Sequence, residues 1–178
     1  LQRYLTILKQ NPNDFTANLN VGLILLRQGK PESAIPYLNK ASASQPHRPE
    51  PYIARANAYI DLNDLGKALV VLQNGVSACA KLPEYWIMRA SLEISLSKLD
   101  SAKISLLRAR DLQPPSSDLR FRMGVLFLQA GEAKDGEEQL RFSAFQSPSN
   151  TTYVREWVNA LILTHDKREA QKTLLEFA

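Results

Sequence analysis

The feature that most constrains this chain is a recurrence of residue type at a step of 34 positions. Shifted on itself by that step, the sequence aligns Ala34, Ala68, Ala102, Gly136 and Ala170 with no insertion between them. Four residues later the same frame gives Leu38, Leu72, Leu106, Leu140 and Leu174. Twelve residues before the small ladder stand Gly22, Ala56, Ala90, Gly124 and Val158, and twelve after it stand Pro46, Ala80, Pro114 and Pro148, with Pro12 one period earlier. A chain built this way repeats one local structure, each copy leaning on the next.

Within a period the apolar residues recur at three and four, as in Leu19, Leu23 and Leu26 and again in Ile53, Ala56, Tyr59 and Ile60. That is the helical period. Each unit therefore holds two helices, separated by turn-forming runs: Gln28-Gly29-Lys30-Pro31, Leu62-Asn63-Asp64, Ser97-Lys98, Ala130-Gly131-Glu132 and His165-Asp166. Proline between units ends one helix and forbids its continuation. The pattern predicts a helix over 1–10 and then pairs at 16–28 and 31–44, 50–62 and 65–78, 84–96 and 99–112, 117–129 and 133–145, and 152–163 and 167–177. A Gly or Ala in each helix lets two backbones approach, and the leucine beside it fills the remaining space.

These residues resemble the tetratricopeptide repeat family. Val21-Gly22, Leu25, Ala34, Leu38, Ala41 and Pro46 carry its pattern in the first full unit, and Tyr52, Ala56, Tyr59, Ala68 and Leu72 in the second. Trp86, Ala90, Ala102, Leu106, Ala109 and Pro114 carry the third. Met123-Gly124, Phe127, Leu140 and Pro148 carry the fourth, and Trp157, Leu161, Ala170 and Leu174 the fifth. The resemblance implies an all-α fold, an α-solenoid with a right-handed superhelix of helix-turn-helix repeats. It is expected as a single domain over 1–178: the second helix of a preceding repeat at 1–14, then repeats at 15–48, 49–82, 83–116, 117–150 and 151–178.

Several positions depart from the family pattern. Arg55 and Arg89 stand where it usually has leucine, and Glu93 where it usually has an aromatic residue. Glu93 follows Arg89 by four residues, so a structural ion pair on one helix face is expected. Pro36 falls inside a helix and is expected to bend it. Gly136 lowers helix propensity by roughly 1 kcal/mol relative to alanine, and Arg120 occupies the place of Trp86, so the fourth unit is expected to be the loosest.

In the resembling family the first helices of successive units line a concave groove that holds a protein or peptide partner. Carried onto this chain, that face comprises Leu19, Asn20, Leu23, Glu50, Ile53, Asn57, Glu84, Ile87, Met88, Ser91, Asp118, Phe121, Arg122, Val125, Arg155 and Asn159. An apolar floor, amides and hydroxyls, and an acidic lip suit an extended segment or an amphipathic helix with some positive charge. The opposing reading is that Leu19, Ile53, Ile87 and Phe121 only pack between helices. A family clamp for C-terminal carboxylates is disfavoured, because Leu19, Leu23, Ala54, Glu84 and Met88 occupy its positions.

Catalysis and cofactor binding find no constellation here. His47 and His165 fall in separate turns, Cys79 is the one cysteine, and glycine-rich phosphate loops are missing, so no enzyme activity, cofactor or metal is expected. Asp61, Asp64 and Asp100 read as helix-end residues. A net charge of +4 without like-charge runs, and the acidic edge of Glu50, Glu84 and Asp118, disfavour nucleic acid. No apolar stretch reaches the ~18 residues of a membrane span, so no direct membrane insertion is expected. The chain opens at Leu1 inside a running helix, is expected to be part of a larger protein, and carries no legible compartment signal. The reading is an interaction scaffold, with end-to-end self-association through Leu174, Leu175 and Phe177 as the alternative and RNA binding a weaker one.

Overall fold

Helix follows helix through the whole of the chain that the computed structural model describes, residues 1–114 and 116–177, with no strand among them. The helices fall into two units. Leu1–Lys81 contains α1 (Gln2–Gln10), α2 (Phe15–Arg27), α3 (Pro31–Ser44), α4 (Glu50–Asp61), α5 (Leu65–Asn74) and α6 (Val76–Cys79). Leu82–Ala178 contains α7 (Pro83–Ser95), α8 (Leu99–Asp111), α9 (Ser117–Gln129), α10 (Ala133–Gln146), α11 (Thr151–Leu163) and α12 (Lys167–Glu176). In the first unit α2 packs on α3, α3 on α4 and α4 on α5; in the second α7 packs on α8, and α9, α10, α11 and α12 follow in series. No described helix is long and apolar enough to cross a membrane.

Small residues set the distance within each hairpin. Ala34, Ala68 and Ala102 have no exposed surface, and Gly136 is buried. A Cβ placed on Gly22 would lie 2.5 Å from the Leu38 side chain, and one on Gly124 would lie 2.7 Å from Leu140. Gly136 is as tightly held: its added Cβ would meet Leu128 at 2.7 Å and the carbonyl of Gly124 at 3.0 Å. Helix propensity alone marks Gly136 as a weak point of the fourth repeat. The packing shows what the glycine is for, since α9 and α10 approach through two facing backbones that leave no room for a side chain.

One backbone device closes every first helix. Gly29, Asn63, Ser97, Gly131 and His165 all have positive φ, between 56° and 84°, and they stand 34 residues apart. At each, the amide of the following residue donates to the carbonyl five positions back: Lys30 to Leu25, Asp64 to Tyr59, Lys98 to Glu93, Glu132 to Phe127 and Asp166 to Leu161, at 2.7–3.0 Å. This is the Schellman arrangement, which satisfies the last carbonyls of a helix by turning one residue into the left-handed region. The next helix then starts at once, capped in two cases by an aspartate: Asp64 accepts from the Lys67 amide at 3.0 Å and Asp166 from the Glu169 amide at 3.1 Å.

Differences from the sequence pattern have local causes. The helix expected over 65–78 is interrupted at Gly75, where a Cβ would lie 2.6 Å from the Tyr52 ring, so the backbone yields to the aromatic side chain. α3 runs through Pro36 from Pro31 to Ser44. Arg120 is no misfit. Its Nε donates to the Pro114 carbonyl at 3.1 Å, as the Asn18 amide does to Pro12 at 3.0 Å and the Tyr52 hydroxyl to Pro46 at 3.2 Å. Three unlike side chains at one repeat position thus hold the same carbonyl six residues back, ahead of a helix that cannot bond it. The Arg120 guanidinium also donates to Gln139 at 2.9 Å and lies 3.9 Å over the Phe142 ring.

The Arg89–Glu93 pair forms with Nε to Oε1 at 2.9 Å. Glu93 is only 1% exposed, and the Ser105 hydroxyl of α8 donates to its second oxygen at 2.7 Å. Burial works against the Arg89 guanidinium, but bonds to Glu93 and Tyr85 outweigh it and hold the group above its ordinary range. Cys79 is buried against α4, and burial followed by the nearby Glu50 carboxylate pushes its thiol up to about 11.

Two measurements check this account. Ser97→Gly is expected to raise stability to denaturant by about 0.5–1 kcal/mol by removing left-handed strain, and Gly131→Ala to lower it by about 1 kcal/mol. Cys79 in the native chain at pH 8 is expected to react with Ellman's reagent at least about a hundredfold more slowly than in denaturant, because the thiolate is the reacting form.

Candidate partner-binding faces

The first helices of the repeats lie beside one another within each unit, α2 next to α4 in the first and α7 and α11 flanking α9 in the second. Residues one turn apart on those helices therefore form short, side-by-side rows. On α2, Leu19 and Leu23 are half-buried and pack against Ala34, Leu38 and Ala54. Ile53 on α4 is half-buried and Asn57, one turn on, is exposed. Asn20 turns its amide onto the Thr16 carbonyl at 2.8 Å. Glu50 is not a bare charge: Arg48 pairs with it, and that hydrogen bond holds its carboxyl below the usual range.

In the second unit α9 supplies the apolar centre. Phe121 and Val125 are half-buried and pack on a core made by Leu140, Val154, Trp157 and Val158. Met88 on α7 is half-buried, while Glu84, Ser91, Asp118, Arg122, Arg155 and Asn159 are exposed. Arg155 and Asn159 share the Glu156 carboxylate, at 3.4 and 3.3 Å. Sequence reasoning passed over Tyr153, whose ring stacks on Phe121 at 4.5 Å and so forms part of the same apolar centre. Burial and the carboxylate of Asp118 raise its phenol above the ordinary range. No periodic signal points to Tyr153, because its contact with Phe121 crosses from one repeat to the next.

Ile87 needs correcting. It shares the register of Leu19, Ile53 and Phe121, yet its side chain has no exposed surface and belongs to a core cluster with Ala90, Leu106, Leu119 and Met123. Leu119 and Met123 of α9 belong to the same cluster, so Ile87 is a core residue beneath the face and not an exposed part of it.

The positions considered for chemistry are placed structurally. His47 is exposed in a turn and His165 is the left-handed residue closing α11. Asp64 caps α5, Asp61 is the last residue of α4, and Asp100 lies in the first turn of α8. Among the described residues no three His, Cys, Asp or Glu side chains converge in a way that would hold a metal.

Alternating helix pairs, one left-handed closing residue per pair and small-residue crossings define an all-α solenoid of tetratricopeptide-type hairpins. Residues 25–92 match the tetratricopeptide repeat family model. Solved structures of such proteins share the fold. YrrB, a tetratricopeptide repeat protein with an unusual peptide-binding site, is 17% identical with a TM-score of 0.78, over 98% of this chain and 90% of that one. MamA from Desulfovibrio magneticus is 16% identical with a TM-score of 0.73, over 92% of each chain. A thermophilic repeat protein of Thermus thermophilus is 22% identical with a TM-score of 0.66, over 89% of this chain and 87% of that one. No curated protein sequence matches. Proteins of this fold are in general non-catalytic scaffolds that bind protein or peptide partners.

The two depths within the face separate by mutation. Ile87→Ala is expected to lower unfolding free energy by about 2–5 kcal/mol through the cavity it leaves. Asn57→Ala and Arg122→Ala, both exposed, are expected to stay within about 0.5 kcal/mol of the parent in the same denaturation experiment.

Proposed function

We propose that this chain is a protein–protein interaction scaffold whose first helices hold an extended peptide or an amphipathic helix of a partner, as part of a larger protein or complex. The observation that carries the reading is a half-buried apolar centre with a polar border in each unit. In the first unit Leu19, Leu23 and Ile53 are bordered by Asn20, Asn57 and the paired Glu50. In the second Met88, Phe121 and Val125 are bordered by Glu84, Ser91, Asp118, Arg122, Arg155 and Asn159. Side chains already packed on one flank lose little further freedom when a ligand covers the other, which favours affinity. Amides and hydroxyls within reach of a bound backbone supply direction.

The polar border also narrows the ligand. Glu84 and Asp118 are exposed carboxylates on the second face, and with Arg122 one turn further along α9 and Arg155 on α11, both also exposed, they favour a segment carrying both signs of charge around apolar anchors. Phosphate backbones fit that border poorly.

Selection of a displayed peptide library on the intact chain tests the reading. Binders are expected to lose about tenfold or more in affinity to Asn57→Arg or Arg122→Glu, substitutions at exposed positions that leave helicity unchanged. Undiminished affinity in both variants would place the site elsewhere.

A further inference from the structure

Ion pairs that span from one second helix to the next supply an internal control. Lys103 of α8 reaches Glu132 at 2.6 Å and Arg110 of α8 reaches Asp135 at 2.6 Å, so two carboxylates at the start of α10 are each met by a cation of the second helix before it. Shifted by 34 residues, Glu132 and Asp135 become Asp166 and Glu169, at the start of α12. Lys103 and Arg110 become Glu137 and Ala144 of α10. The carboxylates are kept and the cations are gone. Between α10, α11 and α12 lies a groove of about 360 Å³, lined chiefly by Glu137, Arg141, Phe145, Trp157, Asp166 and Glu169. α10 and α12 are both walls of it, as α8 and α10 flank the pairs one repeat earlier, so the groove lies within the stack and not on an end face.

We propose that this groove docks a basic segment of a partner protein, whose lysine and arginine side chains take the places that Lys103 and Arg110 hold one repeat earlier. The site goes beyond the faces of the first helices, because its charges sit on the second helices α10 and α12. Two of its carboxylates are held in place by bonds that leave their charge unmatched. Trp157 Nε1 donates to Glu137 at 3.0 Å, and Asp166 accepts from the Glu169 amide at 3.1 Å. Among the described residues neither forms an ion pair. Glu169 is met by Lys172 at 3.6 Å, but that ammonium is exposed and shared with Glu176 at 3.7 Å, so water and salt weaken it. Arg141 is the one cation in the described lining, against three carboxylates. The chain as a whole carries a net charge of +4, so a basic ligand is drawn to this groove and not to the molecule at large. Phe145 is exposed, with its ring 5.3 Å from that of Trp157, and offers an aromatic contact to the stem or guanidinium of the same ligand. α10 already makes such a contact, since the Arg120 guanidinium lies 3.9 Å over its Phe142 ring.

The probe is the fluorophore-labelled, amidated peptide Lys-Ala-Arg-Ala-Lys, whose three cations share one side of an extended chain. It is titrated against the intact chain by fluorescence anisotropy at low salt. Saturable binding is expected, weakened about tenfold in roughly 0.3 M salt and lost when glutamine replaces all three cations of the peptide. Glu137→Gln combined with Glu169→Gln removes two charges while leaving an oxygen for Trp157 Nε1, and is expected to weaken binding about tenfold or more. Glu137→Lys, which supplies from within the ammonium that Lys103 supplies one repeat earlier, is expected to abolish it. Glu32→Gln, at an exposed position of the first unit, is expected to leave it unchanged, with the circular dichroism of every variant equal to the parent. Absence of saturable binding would overturn the proposal. So would equal affinity for the glutamine peptide or in the Glu137→Gln, Glu169→Gln variant, and so would an equal loss in Glu32→Gln, which marks a general effect of charge. A dimer of the parent, found by sedimentation and dissolved by Glu137→Lys, would make a second copy the occupant and overturn it as well. Asn57 and Arg122 lie outside the groove lining, so failure of the first-helix reading and failure of this one are read separately.

Discussion

Everything in this fold depends on how closely two helices of a hairpin can approach. The answer is written in a few atoms: a glycine or alanine on the first helix, and a leucine on the second that occupies the space a side chain would have taken. At Gly22 and Gly124 an added Cβ would sit inside the partner leucine. Replacing that contact by anything larger would push the helices apart and uncouple each hairpin from the next, because the second helix of one repeat is also the surface on which the following repeat rests. The closing residue in the left-handed region serves the same end. It ends the first helix at a fixed point, so that the second begins in phase with the contact.

Much of this architecture is legible in the sequence because it obeys a period. The 34-residue step locates helices to within a residue or two, and it locates the turns whose backbone reverses. What the period cannot convey is anything decided by one particular neighbour. Gly75 interrupts a helix because the ring of Tyr52 lies against it, a contact between different helices of the frame. Arg120 looks foreign beside Trp86 until its bond to the Pro114 carbonyl shows that it does what Asn18 and Tyr52 do with other atoms.

The candidate faces show the same division between register and depth. Sequence spacing places Leu19, Ile53, Ile87 and Phe121 on one side of their helices, and spacing is indifferent to how far each is covered. Ile87 is fully buried in one cluster with Leu119 and Met123, while Phe121 is only half-buried and stacks on Tyr153. A binding surface inferred from a repeat is therefore a set of directions, and only the packing of unlike residues decides which of those directions reach solvent.

The buried carboxylate of Glu93 has a consequence for the identity of the repeats. Its two oxygens are satisfied by Arg89 on its own helix and by Ser105 on the opposing one. The place of Ser105 is taken in the preceding repeat by Val71, which has nothing to donate. Against α5, the helix that carries Val71, α7 would bury half of a charge without a partner, at a cost that hydrocarbon packing cannot return. Units that share one outline are thus individually keyed, and the chain resists shuffling its own modules although their backbones would superpose.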